Sequence, residues 1–413
     1  MIAALLSLAL AAPAPLHLKD LLEEARGKNP DLASAQARAA SALASVAPAG
    51  ALDDPMLMVQ LWNAPLDFSN VPVMVQVSQA LPLGGKRAAR QEAAAADASA
   101  AQATALTQQR DLEVQVAQAY FELFLAERTQ EVDDELDPLL HGLLQASEAR
   151  VATGKGEPVE LLRAQGAVIQ LRSERETAND RRASSWARLA ALVDRDPAAP
   201  PGLTTRPGVL ESLPPEAALR DRALRERPEL AGARAMIAGA DAQLRLARAA
   251  GVPDLAPFLG VMHTFRGQGE TNFLFAGVQG NLPVFGGRND ARSSAASGQA
   301  QAMRAAEHAV RNRIAADVAE HYAHVLAEGR QIGLHHQLIP LSRQAVESAS
   351  HSYAAGRGEF TMVIDSLREL RMHELDLAQH LALYEQRLAD LERAVGGDLG
   401  LAQAAEAGHA DEH

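Results

Sequence analysis

Apolar residues recur every three or four positions along most of this chain. Val114, Ala117, Phe121 and Phe124 follow that spacing, and so do Ile314, Val318, Tyr322 and Val325. Such a stripe predicts helices that bury one face in a coiled-coil-like seam. Two windows depart from it. Between Asp53 and Pro82, Val71, Val73, Val75 and Val77 alternate with Pro72, Met74, Gln76 and Ser78, the two-residue period of a strand. Met56 to Trp62, just before, is apolar almost throughout, and Ala64 to Asn70 supplies turn residues between the two. The second window has Leu255 to Phe265, a loop from Arg266 to Thr271, then Phe273 to Leu282. Each window predicts a β-hairpin, in residues 53–82 and 254–283, with arms close to the roughly 9–11 residues that cross a bilayer as tilted β.

The two windows belong to two copies of one longer pattern. Asn29-Pro-Asp-Leu recurs as Arg227-Pro-Glu-Leu at an offset of 198, and Leu81-Pro82 as Leu282-Pro283 at 201. Gly84-Gly85-Lys86 matches Gly286-Gly287-Arg288 at 202, and Tyr120, Pro138 and Gly154-Lys-Gly-Glu157 match Tyr322, Pro340 and Gly356-Arg-Gly-Glu359 at the same offset. Six landmarks in one order mark an internal duplication. Asn29-Pro30 predicts a helix boundary with a fresh start, and the matched Pro138 and Pro340 are expected to kink or break long helices. Helices are expected to resume near Val159 and Phe360, and Asp194 to Pro215, with six prolines, links the copies. The organisation read from this is a signal peptide at 1–11, a first repeat at 12–206, a second at 207–395 and a flexible tail at 396–413.

Composition narrows the class. Hydrophobic residues make up 47% but aromatics only 4%, because alanine supplies much of the apolar fraction; this favours long, closely packed helices. A net charge of −13 argues against a nucleic-acid partner. With no cysteine there is no disulfide scaffold, thiolate metal site or Cys nucleophile. The apolar start ending in Ala9-Leu10-Ala11 has the form of an export signal. Beyond it no apolar run approaches the roughly 20 residues of a transmembrane helix, so entry into a membrane would be by β-strands. Seven of the aromatics (Trp62, Phe68, Phe258, Phe265, Phe273, Phe275, Phe285) fall in or beside the hairpin windows, as in the aromatic girdles of outer-membrane barrels.

Four strands cannot close a barrel, since the smallest outer-membrane barrels have about eight, and an open edge in lipid leaves backbone groups unpaired. The strands are therefore expected to be completed by other protomers. The helices are too polar for lipid, and a run of about sixty residues would reach roughly 90 Å into an aqueous compartment.

The order helix, hairpin, Leu-Pro turn with Gly-Gly-basic, long helical pair, repeated once, resembles the TolC-like outer-membrane efflux family. Leu282-Pro-Val-Phe-Gly-Gly-Arg288 and Ser352-Tyr-Ala-Ala-Gly356, with Asp365 nine residues on, carry the likeness, which spans residues 16–395. The resemblance implies a mainly α fold with a small membrane β-barrel portion: a long-helix α-barrel plus four β-strands per protomer, trimeric. It implies an outer-membrane channel subunit of a tripartite efflux system, not an enzyme, with its helical tunnel in the periplasm. Expected partners are two further copies, a periplasmic adaptor, an inner-membrane pump and outer-membrane lipid. Gly84, Gly85, Gly286 and Gly287 are then the barrel-to-tunnel turns. Asp365 is the periplasmic gate candidate; Arg163 is its counterpart in the first copy, at offset 202. The alternatives are a type I protein-secretion conduit and a periplasmic adaptor or coiled-coil scaffold.

Thirteen histidines raise the question of metal. His321 and His324 lie three apart, and His335 and His336 are neighbours, but none has the ligand spacing of a structural or catalytic site along the chain. Solvated helix positions, with no metal and no cofactor, are the expectation. There is no G-x-S-x-G elbow, H-E-x-x-H pair or P-loop.

Overall fold

A computed structural model describes residues 15–61, 71–210, 212–266, 269–397 and 399. The signal at 1–11, Trp62, Phe68 and nearly all of the tail lie outside the described residues. The elements run α1 (Leu18–Lys28), α2 (Pro30–Ala44), α3 (Val46–Gly50), β1 (Met56–Leu61), β2 (Val73–Ser78), α4 (Lys86–Ala152) and α5 (Pro158–Leu192). They continue with α6 (Glu216–Glu226), α7 (Pro228–Ala249), β3 (Leu255–Arg266), β4 (Gly269–Gly280), α8 (Gly286–Ala354) and α9 (Phe360–Val395). Apart from the short α3, the second half repeats the element order of the first. Among the described residues no helix is long and apolar enough to cross a membrane.

Two compact units divide the chain. Among the described residues, one comprises 15–33, 108–227 and 313–397; the other lies within 34–107 and 228–312. In the first, α9 buries Val363, Ile364, Leu367, Leu370, Leu377, Leu381, Leu388 and Leu391, the three-and-four spacing of a core stripe. α4 buries Leu112, Val116, Tyr120, Leu123 and Val132 in the same way. Charges are folded into this packing. Asp133 is fully buried and accepts from Arg371 Nε at 2.7 Å, while Arg371 Nη2 reaches Glu174 at 2.8 Å, so α4, α9 and α5 are joined through one guanidinium. Glu374, also buried, accepts from Arg343 at 2.6 Å and Arg128 at 3.4 Å.

The break at Asn29 has a direct cause. Its side-chain oxygen accepts from the N–H groups of Asp31 and Leu32 at 3.0 and 3.1 Å, capping α2 with Pro30 at the first helical position. The proline-rich link is held as well. The buried Tyr120 hydroxyl donates to Leu16 O at 2.7 Å and accepts from the Thr205 N–H at 2.8 Å, and Trp186 Nε1 donates to Ala199 O at 2.7 Å. Pro138 and Pro340 do not break their helices, for α4 and α8 each run through them. A proline removes one helical hydrogen bond, and here buried Leu136 and Leu140, and buried Ile339 and Ser342, anchor the backbone on either side.

In the second unit small residues set the helix spacing. A Cβ at Gly239 would meet Ala96 Cβ at 3.3 Å, and one at Gly232 would meet Ala103 Cβ at 3.2 Å, so α7 and α4 approach closely where both are nearly bare. Ala35, Ala39 and Ala105 form a further alanine cluster between α2 and α4. The four strands form one antiparallel sheet in the order β1-β2-β3-β4.

Candidate functional site

The sheet separates two chemistries. Leu57, Val77, Leu259 and Ala276 lie opposite one another across the four strands, and Val59, Val75, Val261 and Leu274 form the next such row on the same face. All eight are exposed. A sheet that faced water here would carry polar residues at these positions; a continuous exposed apolar face belongs in lipid. The other face mixes Gln76, Ser78 and Gln279 with methionine, glycine and phenylalanine. There Phe258 lies opposite Gly277 and Phe275 opposite Gly260, and a Cβ on either glycine would overlap the facing ring. The glycines thus leave room for each ring over the facing strand, the two ring centres 6.2 Å apart and the planes tilted by 57°. Val71 departs from the alternation that groups it with Val73, Val75 and Val77: it precedes β2 and is buried.

Where the strands give way to helices the two halves differ. Gly84 and Gly85 have φ of +71° and +75°, and a Cβ on Gly84 would press on Val252 at 2.9 Å. Only glycine takes both conformations without strain. Lys86, which opens α4, is buried and donates to Asp254 Oδ1 and Val252 O, each at 2.7 Å. Gly286 and Gly287 stand at the corresponding junction but form the first residues of α8, without positive φ.

The turns between the long helices, at 153–157 and 355–359, are locked to each other. Arg150 donates to Tyr353 O at 3.2 Å and to Lys155 O at 3.3 Å, and its guanidinium lies 4.6 Å from the Tyr353 ring centre. Tyr353, itself buried, donates to Glu160 at 2.9 Å and lies 3.2 Å from Ser147 Oγ. Burial raises the Tyr353 phenol above its ordinary value. Gly154 and Gly356 take φ of +69° and +72° in the two turns.

Just beyond them, Arg163 on α5 and Asp365 on α9 line the same open groove, together with Gln170, Thr361 and Arg368. Both are exposed. Asp365 has Arg368 at 3.7 Å, and Arg163 has no ion pair among the described residues. The lock of Arg150, Glu160 and Ser147 around Tyr353 went unread in the sequence, although Tyr353 itself was part of the motif. Elsewhere, His335 is not solvated but buried, with His373 and His380 of α9 beside it.

The family description "Outer membrane efflux protein" matches residues 21–194 and 219–397. The chain belongs to that family. It is an efflux protein of the outer membrane, in a family of channels. It is 28% identical over 392 residues to the cobalt-zinc-cadmium resistance protein CzcC of Cupriavidus metallidurans, spanning 93% of this chain and 91% of that one. Its fold is similar to the outer membrane protein VceC of Vibrio cholerae, with a TM-score of 0.77, 21% identity and coverage of 92% and 96%. The CmeC outer membrane channel of Campylobacter jejuni gives 0.79 at 14% identity, with coverage of 99% and 94%.

Proposed function

We propose that this efflux protein works as a homotrimer, exported by its signal at 1–11, in which β4 of one copy pairs with β1 of the next to close a 12-stranded barrel. The observation that carries this is the sheet itself. In a single chain β1 and β4 each leave one edge unpaired, while the sheet's outer face is apolar and exposed. Each unpaired backbone group in lipid costs several kcal/mol, and closure between copies removes that cost. Leu282, Val284 and Phe285, exposed directly after β4, supply further apolar surface for a neighbouring copy.

The two repeats, 12–206 and 207–395, then supply a helical tunnel in the periplasm, with the paired turns of the long helices meeting a periplasmic adaptor and an inner-membrane pump. Gly84, Gly85, Gly286 and Gly287 mark the passage from barrel to tunnel, and Asp365 and Arg163 the gate. The chain carries out no covalent chemistry. Its cargo is divalent transition-metal ions; the support is the likeness to CzcC over almost the full length of both proteins.

Because the chain lacks cysteine, cross-linking is clean. Leu57→Cys, combined in turn with Leu274→Cys, Ala276→Cys and Val278→Cys, should give oxidised dimers and trimers in outer-membrane fractions. Monomer alone in every combination would refute the barrel. Cargo is tested separately: cells lacking the chain should become sensitive to cobalt, zinc or cadmium salts, and unchanged tolerance of those cells, where cross-linking has shown the trimer in the parent, refutes the metal assignment alone.

A further inference from the structure

Five side chains between α8 and α9 form a cluster that the channel architecture does not require. Glu328 and His335 stand seven residues apart on α8, and His373, Asp376 and His380 follow one another at three and four on α9. Both spacings bring side chains to one helix face. One ligand atom each from His335, His373 and Asp376 lies within 4.8 Å of the others. The His335 ring centre is 5.6 Å from that of His373 and 5.3 Å from that of His380.

The packing leaves this cluster incomplete. His335 is only 8% exposed, and Nδ1 of both His335 and His373 is buried without a hydrogen-bond partner. Two buried imidazole nitrogens without partners, on rings that lie beside a further imidazole and a carboxylate, leave bonding capacity that a cation could take up. His380 adds the arrangement that supports metal-bound histidine. Its Nδ1 lies 2.7 Å from Glu328 Oε2, so a proton held there leaves Nε2 as a donor to metal.

We propose that His335, His373 and Asp376, with His380 as fourth ligand oriented by Glu328, bind one borderline divalent cation of the zinc class. Three imidazoles and a single carboxylate suit Zn²⁺ or Co²⁺, whereas Mg²⁺ and Ca²⁺ favour oxygen donors. Tetrahedral coordination at Zn–N of about 2.0–2.1 Å puts ligand atoms about 3.4 Å apart, a small contraction for His335, His373 and Asp376, while His380 would turn in to complete the set. The bound ion ties α8 to α9. This site is independent of what the channel carries, for it requires only that the cation reach it.

The test uses the full chain, without a histidine tag, in detergent. CoCl₂ is titrated by absorbance, and retained zinc is counted by mass spectrometry after ZnCl₂ loading and gel filtration. The parent protein should show the intense visible bands of tetrahedral Co²⁺ and hold one more zinc per protomer than His373→Ala. Glu328→Gln should weaken binding by roughly 10–100-fold, as loss of an orienting carboxylate does. His336→Ala, changing the exposed neighbour, should bind like the parent, which separates this site from the other histidines. If His373→Ala loses helicity, Asp376→Asn, nearly isosteric, decides in its place. Equal zinc counts and equal Co²⁺ spectra in the parent and the folded ligand variant would overturn the proposal, as would displacement of the cobalt by equimolar Mg²⁺.

Discussion

The Tyr353 hydroxyl donates to Glu160 at 2.9 Å, so the last turn of α8 is tied to the first turn of α5, 193 residues earlier. Val151 takes the matching place in the first repeat, which makes this bond one-sided within each protomer. Tyr353→Phe keeps the ring, its packing on Phe360 at 6.0 Å and its contact with Arg150, and removes only the hydroxyl. The expected cost is about 0.5–1.5 kcal/mol from the lost hydrogen bond, somewhat more if Glu160 stays dry. Chemical denaturation of the detergent-purified protein measures it. An unchanged midpoint with an unchanged slope would mean that Tyr353 holds the turns through its ring alone.

The buried charges of the helical unit predict a larger effect. Asp133 is fully buried and receives its cation from Arg371. Arg371→Met retains most of the aliphatic stem but strands the carboxylate, which costs about 3–5 kcal/mol when a buried pair loses one partner. Asp133→Asn combined with Arg371→Met should recover part of that loss. Thermal unfolding of the parent and the two variants checks the order. A double variant no more stable than Arg371→Met would show that the stem packing, not the stranded charge, sets the cost.

Much of this architecture was legible in the sequence. Strands were expected within 53–82 and 254–283, and they occur at 56–61, 73–78, 255–266 and 269–280, because period-two alternation is a local signal that any strand must carry when its faces differ. The helix restart at Asn29-Pro30 was equally local. Pro138 and Pro340 do not end their helices because a proline removes one bond, while the flanking buried residues that hold the backbone are set by tertiary packing. The identical Gly-Gly pairs hid a difference: only Gly84 and Gly85 take positive φ, since the other pair has become the first turn of α8. The contacts around Tyr353 and His335 join residues on different helices, at separations no spacing rule covers. The companions of His335 stand on α9, with a turn of chain between, so linear spacing could not bring them together.

The sheet predicts opposite responses on its two faces. Val75→Arg and Val261→Arg, directly paired on the apolar face, should each cost about 2–4 kcal/mol if they sit at mid-bilayer depth. Gln76→Arg, on the opposite face, should be tolerated. Gly260→Ala adds only a methyl, yet it forces the Phe275 ring off the sheet, and such overpacking costs about 1–3 kcal/mol. Folding into lipid vesicles, followed by the shift of the heat-modifiable band, ranks the four. Equal tolerance of arginine on both faces would show that the apolar face does not meet lipid.

Asp365 and Arg163 carry the final prediction, about gating. The two line one groove from α9 and α5, both exposed, and among the described residues Asp365 has the 3.7 Å contact to Arg368 to offset its charge. In a trimer three such carboxylates around one axis would concentrate negative potential and attract cations. Exposed Leu162, Ile169, Met362 and Met372 nearby provide apolar surface on which neighbouring copies can pack. Asp365→Ala should therefore change single-channel conductance in planar bilayers and reduce cation preference while the trimer still forms. Arg163, which has no ion pair among the described residues, is free to meet an acidic side chain of a neighbouring copy and hold the closed state. Arg163→Ala should then raise conductance, and Arg163→Lys, which keeps the charge but loses the planar fork, should fall between. A partner pump would open the channel by binding the splayed arrangement better than the closed one, so the same substitutions should also lower the adaptor concentration needed for opening. If both alanine variants conduct and select as the parent does, the constriction lies elsewhere and these two residues are surface charges.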